Sequence, residues 1–450
     1  MSIKKISIFT LSNYIALFCS LAQALIIAKI LSTVDMGSFS QIKILLSYLL
    51  LLNPGVINGL IYLIPLSEEK RGKEYGSSAF VFSFILFFIV FVILSVVFVK
   101  SHNFQWLFMG VILLFTSLRE VISFILRGFQ KFSRLSALNL ISSAIQSVLI
   151  ITFSYFWKLT GALWGLSASA GVSLIIALFL ARNDISLAFS FERVKCLFSS
   201  GWMIYLNGLY ATVLSSFERL SLSFTSEKNI FAVYSIGIFF ISIFDILSSS
   251  ITQYLTPKMI KEEKSYLENK LQNTTNSIIY IMIAFIFIFL IMIKFTVPVF
   301  LNKYTESVRI ASILSITSLF QVFYNLMFTK YLSSKSIKKY FPLQTVGSLL
   351  TVGGILLYFV YFDSNNLILF SLFVLAIRIL YLFFAVIYFN FTSRIKMLNF
   401  YSIISLLIGG FLFISTYFSG KIMFTVSLAV FALYFTIFYK KIRIWKKSLI

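Results

Sequence analysis

The chain has 450 residues, 59% of them hydrophobic and 12% charged, with a mean hydropathy of +0.96. Soluble domains carry about 25% charged residues, so this composition excludes a water-soluble globular enzyme and makes lipid the solvent. The formal charge of +23 would suit a nucleic-acid binder, but the basic residues lie in short loops and act as a topology signal, so no nucleic-acid partner is expected.

A bilayer-spanning helix needs roughly 20 apolar residues to cross a hydrocarbon core of about 30 Å. In chain order the apolar stretches predict spans at 8–31, 39–64, 77–99, 104–126, 135–157, 160–181, 197–222, 230–255, 274–293, 306–330, 341–362, 366–390, 398–418 and 422–439. Taken alternately from the N-terminal segment, the loops carry 26 of the 38 basic residues, from Lys4 and Lys5 to the tail at 440–447. The opposite loops carry six: Lys100, Lys158, Lys228, Lys303, Arg309 and Lys421. The positive-inside rule then puts both termini in the cytoplasm, with an even number of spans. Barrel strands are about ten residues long and alternate in polarity, so an all-β reading fails.

The first apolar stretch is expected to be span one rather than a cleaved leader, because it is long and holds Asn13 and Gln23. Two cysteines, Cys19 and Cys196, give no disulfide framework, and a single histidine, His102, excludes a His-rich metal site. No metal is expected. Asn273-Thr274-Thr275 is a sequon on the cytoplasmic side and is read as chance.

The chain repeats itself weakly. Pro65 is followed by Glu68, Glu69 and Lys70, and Pro257 by Glu262, Glu263 and Lys264, at offsets of 192 and 194. Gly37-Ser38-Phe39-Ser40 answers Ala232-Val233-Tyr234-Ser235 at an offset of 195, and Gln130-Lys131-Phe132-Ser133 answers Ser334-Lys335-Ser336-Ile337 at 204. Six spans separate the copies, so both halves keep one orientation. The expected fold is an all-α polytopic membrane protein of about fourteen transmembrane helices. Two parallel-oriented six-helix bundles, 1–190 and 191–390, would face a central cavity, with two further helices and a basic tail at 391–450. Facing bundles suit alternating access.

Several segments carry a resemblance: LSTVDMGSFS at 31–40, GVINGLIYLIP at 55–65, ILRGFQKFSRLSALNLI at 125–141, TGALWGLSASA at 160–170 and FERLSLSFTSEKNIFAVYS at 217–235. Together, in this order over roughly 1–390, they resemble the Wzx-type polysaccharide-unit flippases. The superfamily of these proteins also holds lipid II flippases and multidrug and toxin extruders. One position departs from the pattern: Ala232 stands where the family often has glycine. The resemblance implies an undecaprenyl-diphosphate-linked oligosaccharide repeat unit as substrate, flipped from the cytoplasmic to the periplasmic leaflet of the bacterial inner membrane. It also implies service to a surface polysaccharide (O-antigen, capsule or exopolysaccharide), with a polymerase and a chain-length regulator as candidate partners. Spans one, two, seven and eight would line the cavity.

Charges within the hydrocarbon cost about 2.5–3.5 kcal/mol each on insertion scales, which makes each a functional candidate. They are Lys29, Lys43, Arg119, Glu120, Glu218, Arg219, Asp245, Lys294 and Arg378, and five of these nine fall on the four cavity helices. Lys29, Lys43 and Arg219 are the expected cationic substrate-binding residues, Arg219 because a guanidinium can hold phosphate bidentately. Snorkelling to the outer loop is the competing reading for Lys29 and Lys43, and a salt bridge between spans for Arg219. Glu218 and Asp245 are expected to pair with cations, or, for Asp245, to carry a coupling ion, H+ or Na+. No other cofactor is expected.

Arg119, Glu120 and Arg378 are expected to tie helices together, and Lys294 to snorkel. Pro54 and Gly55 interrupt span two and should kink it, as a hinge or as a static bend. Gly161 and Gly165 predict close helix packing. Tyr14, Tyr48, Tyr205, Tyr210 and Tyr254 are candidates for stacking on sugar rings. Three rivals remain: an ion-coupled multidrug or cation antiporter on the same fold, a membrane-embedded polymerase or ligase, and a transport-dead scaffold for biosynthetic enzymes. An antiporter would want an anionic cavity, whereas the central helices carry three bases against two acids. An enzyme would want a long periplasmic loop, and every outer loop is short.

Overall fold

The computed structural model describes residues 3–185, 188–261, 264–333, 337–393, 400–415 and 430–431. Among them there is no strand. The helices are α1 (Ile3–Ile30), α2 (Thr33–Leu49), α3 (Val56–Leu63), α4 (Glu69–Ser101), α5 (Phe104–Gly128), α6 (Phe132–Ala181) and α7 (Phe191–Thr225). There follow α8 (Lys228–Lys261), α9 (Lys264–Phe300), α10 (Thr305–Leu314), α11 (Ile316–Ser333), α12 (Phe341–Tyr361), α13 (Leu367–Ser393) and α14 (Phe400–Ser415). The last predicted span, 422–439, lies almost wholly outside the described residues.

Seven of the described helical stretches are long and apolar enough to cross a membrane. An eighth counts if α10 and α11, bent by 44° at Ser315, are taken as one. The 50-residue α6 holds two predicted spans, α1 and α8 contribute the shorter apolar stretches Phe18–Ile30 and Lys228–Phe244, and α14 has 16 described residues.

Helix α4 shows the solvent for which the fold is built. Phe84, Phe88, Val92 and Val96, four residues apart on one face, are exposed, while Ser77, Ser78, Ala79 and Ser83 are buried. Large apolar groups outside and small polar ones inside is the pattern of a helix in lipid, where close packing replaces hydrophobic burial. The buried hydroxyls close on their own helix: Ser77 and Ser78 donate to the carbonyls of Lys73 and Glu74 at 2.9 Å.

Two compact units divide the chain, Met1–Thr212 and Val213–Ile450. The division falls inside α7, beyond the 190/191 boundary expected from the repeat. The cause is local, because the first half of α7 is fastened to α3 and α4. Arg193 pairs with Glu74 at 2.7 Å, the Ser190 amide donates to Ser78 Oγ at 3.2 Å, and glycines let α7 approach α3 closely.

In the first unit α1 and α5 pack on α6, and α4 on α5. Helix α6 is a hairpin of two arms: Trp157 and Lys158 leave helical geometry, and Lys158 takes φ 51°. The second arm returns along the first because Gly161 and Gly165 have no side chains. A Cβ at Gly165 would stand 2.6 Å from Ile150 Cα, and one at Gly161 would run into the Phe153 carbonyl oxygen. At the basic loop joining α5 to α6, the buried Asp184 accepts from Lys131 Nζ, and from Arg134 Nη1 at 3.3 Å. In the second unit α8 packs on α10 and α11, α12 on α13, and α9 on α14.

Candidate functional site

Span two breaks where the sequence predicts. Helix α2 tightens into a 3-10 turn at Leu50–Leu52, Asn53 is extended, and Gly55 takes φ 78° before α3 begins. A broken helix leaves backbone groups that lipid cannot satisfy, so protein groups must do so. Tyr205 of α7 donates its hydroxyl to the Leu51 carbonyl at 2.8 Å. The buried Asn53 donates Nδ2 to Ser83 Oγ at 2.6 Å, while its Oδ1 makes no hydrogen bond. Tyr205, a stacking candidate in the sequence, thus has a structural duty through its hydroxyl.

Its ring has another role. Phe198, Trp202 and Tyr205 form an aromatic ladder on α7, with centroids 5.1 and 5.6 Å apart. Phe198 and Trp202 are each 38% exposed. The ladder was legible as aromatic residues at i, i+4 and i+7, yet Phe198 and Trp202 were not singled out from sequence.

Beside the break, within the first unit, α2, α5 and both arms of α6 form a half-open pocket of about 190 Å³. Lys43, Leu46 and Ser47 line it from α2, Leu50 from the 3-10 turn that follows, and Ile112, Leu113, Thr116 and Arg119 from α5. Gln146 comes from the first arm of α6, with Leu166, Ser169, Ala170 and Ser173 from the second. Lys43 is exposed and Arg119 half-buried, so the two cations stand at different depths. No carboxylate lines the pocket. Such a lining presents two cations and no carboxylate, which suits a negatively charged group. Arg119, expected to tie helices together, forms no ion pair with a described carboxylate. Its Nε is buried and makes no hydrogen bond. The neighbour Glu120 acts on it electrostatically, but consecutive helix residues point about 100° apart.

In the second unit, Glu218 is buried on α7 and accepts from Arg378 Nη2 of α13 at 3.3 Å. Arg378 therefore joins two helices, as its position suggested. Arg219 keeps a buried Nε that makes no hydrogen bond, and the Tyr234 hydroxyl nearby is likewise buried and unbonded. Glu218, Arg378 and Arg219 all act electrostatically on that hydroxyl. Lys29 is exposed near the end of α1. Asp245 belongs to α8, but its side chain, like those of Tyr14 and Tyr254, lies outside the described residues. Of the expected site residues, Lys43 thus stands with Arg119 in one pocket, and Glu218 and Arg219 stand near Arg378. Among the described residues no group of three His, Cys, Asp or Glu side chains is placed to hold a metal.

Comparison with solved structures identifies the architecture. The lipid II flippase MurJ, in an inward closed conformation, matches with a TM-score of 0.70 at 13% identity, over 96% of this chain and 98% of that one. A multidrug resistance MATE family transporter of the MOP superfamily matches in its outward-facing form with a TM-score of 0.58 at 17% identity, over 87% of this chain and 96% of that one. An inward-facing structure of a MATE family transporter matches at 0.57 and 14%, over 88% and 96%. At such identities the likeness is one of fold: the chain is a polytopic, all-helical membrane protein with a MurJ- and MATE-like architecture. Among curated proteins nothing matches. A family model described as polysaccharide biosynthesis protein matches residues 67–309, more than half of the sequence. The chain belongs to this polysaccharide biosynthesis family of Wzx-like flippases.

Proposed function

We propose that this protein flips an undecaprenyl-diphosphate-linked oligosaccharide repeat unit from the cytoplasmic to the periplasmic leaflet of the bacterial inner membrane. The unit is then delivered to a polymerase and chain-length regulator that build a surface polysaccharide. The observation that carries the reading is membership of a polysaccharide biosynthesis family on a fold shared with a lipid II flippase. Both termini are cytoplasmic in this reading, as the loop charges require, and no covalent chemistry is involved.

The residues support a carrier of an anionic glycolipid. Lys29, Lys43 and Arg219 supply cations suited to a diphosphate. The ladder of Phe198, Trp202 and Tyr205 offers flat apolar faces for sugar rings. The break at Pro54 and Gly55 gives span two a hinge for alternating access. Asp245 carries a coupling ion, H+ or Na+, with Glu218 held by Arg378.

Expression in a strain that lacks its own flippase and makes a matching repeat unit tests the proposal. The wild-type chain should restore surface polysaccharide. Arg219→Ala should abolish the rescue at unchanged protein level, and Asp245→Asn should impair it. Absence of rescue by the wild type, with raised resistance to cationic drugs, would replace the flippase by an antiporter. Full rescue by Arg219→Ala would remove that residue from the substrate path, and full rescue by Asp245→Asn would reject the coupling role.

A further inference from the structure

The pocket inside the first unit has features that packing does not explain. Its roughly 190 Å³ far exceeds the roughly 10–15 Å³ that admits a single water. The pocket is half open, and a polar pocket of this size holds solvent or a ligand. This one is lined by a guanidinium, an ammonium, an amide and several hydroxyls. The ammonium of Lys43 stands 5.7 Å from the centre of the Phe39 ring, near the exposed side of α2.

The donors converge from separate helices. Thr116 lies three residues before Arg119 on α5, and therefore on the same face. Gln146 and Ser173 face the pocket from the two arms of α6. Side-chain hydrogen bonds to other described residues are made by neither Thr116, Gln146 nor Ser173. By contrast, Ser47 and Ser169 donate to the carbonyls of Ile44 and Leu166. The deepest cation keeps an unbonded, buried Nε. Glu120 acts on this guanidinium electrostatically without pairing with it, and an anion in the pocket would give its free donor edge a charge-assisted partner. Several donors from three directions suit a tetrahedral oxyanion with many acceptor oxygens better than a single small ion.

We propose that this pocket is a binding site for a phosphate-class oxyanion, held between Arg119 and Lys43 with Thr116, Gln146 and Ser173 as neutral donors. Every residue that lines it belongs to the first unit. As the seat of a diphosphate headgroup it rests on the flippase reading; as an oxyanion site it stands on its own geometry. Its depth gives Arg119 the larger role, and Lys43 guards the mouth.

Binding to the purified full-length chain in detergent tests the site. Three probes are compared by titration calorimetry: inorganic diphosphate, farnesyl diphosphate and the neutral farnesol. Farnesyl diphosphate should bind, and Arg119→Gln should weaken it by roughly tenfold or more, the worth of a charged hydrogen bond. Arg119→Lys should recover part of the affinity. Lys43→Gln, at an exposed position, should weaken binding severalfold. Arg119-dependent binding of inorganic diphosphate as well would make the free oxyanion a ligand, whereas binding of farnesyl diphosphate alone would require the lipid-linked headgroup. Affinity unmoved in both Arg119→Gln and Lys43→Gln would overturn the site, as would farnesol binding as tightly as farnesyl diphosphate. The outcome separates from that of the flippase reading. A chain that binds diphosphate but fails to rescue the flippase-deficient strain loses the flippase and keeps the site. Rescue by a chain whose affinity ignores both substitutions does the reverse.

Discussion

Arg378→Leu will destabilise the second unit by about 3–5 kcal/mol, the cost of leaving one partner of a buried ion pair uncompensated. Glu218 has a side chain only 4% exposed, and Arg378 is the cation within ion-pair distance of it among the described residues. Removing Arg378 strands a carboxylate between α7 and α13, where neither lipid nor water can solvate it. Replacing both residues by Leu removes both polar groups, and the double variant should recover most of the loss. A double-mutant cycle on thermal unfolding in detergent measures this. Equal stability of Arg378→Leu and wild type would show that the pair holds nothing together.

Gly201→Val should destabilise the first unit. A Cβ at Gly201 would meet the Gly55 carbonyl oxygen and stand 2.5 Å from the Gly59 amide nitrogen. One at Gly59 would stand 2.8 Å from the Leu197 carbonyl carbon. Backbone meets backbone along this seam, so no side chain can rotate away. Inserting a branched side chain must part α3 from α7, at about 1–3 kcal/mol or more. It would also pull Tyr205 from the Leu51 carbonyl. The recovered fraction of monodisperse protein and its unfolding temperature report the loss. Gly208→Ala is the matched control: nothing lies within 4 Å of its Cβ position. Removing glycine from a helix there should stabilise by about 0.4–1 kcal/mol.

What the sequence made legible follows from how strongly each feature is written in local chemistry. Apolar stretches of spanning length and basic loops mark helices in lipid without reference to tertiary structure. Pro54 and Gly55 break span two because proline removes a donor and glycine permits positive φ. The second break, at Ser315, carries no such signal. Serines at 312, 315 and 318 are common in helices, and Ser315 bends the chain in a context that sequence alone does not specify. Pro298, a stronger local signal, lies near the end of α9 without ending it. The unit boundary moved for a similar reason, since the glycines that dock α7 onto α3 act between segments distant in sequence.

The candidate site was legible in its residues and not in their grouping. Lys43 and Arg219 stood out as charges in apolar helices. Arg119 was expected, with Glu120, to tie helices together. On a helix neighbours diverge, and partners lie three or four residues apart or on another helix. Thr116 and Arg119 on α5, with Ser169 and Ser173 on α6, do repeat at helical spacing. Only the hairpin of α6, made possible by Gly161 and Gly165, brings the two polar faces to one pocket. Glu218 illustrates the same point, for its partner is Arg378, 160 residues away, and not the adjacent Arg219.

Reconstitution tests the central claim most directly. Purified chain is inserted into liposomes containing a polyprenyl-diphosphate-linked oligosaccharide in the inner leaflet, and its appearance outside is followed with a membrane-impermeant sugar-modifying enzyme. The account predicts modification that grows with time in vesicles holding the wild-type chain and stays flat in empty ones, with Arg219→Ala close to empty. Wild-type traces indistinguishable from empty vesicles, across both coupling-ion gradients, would contradict it.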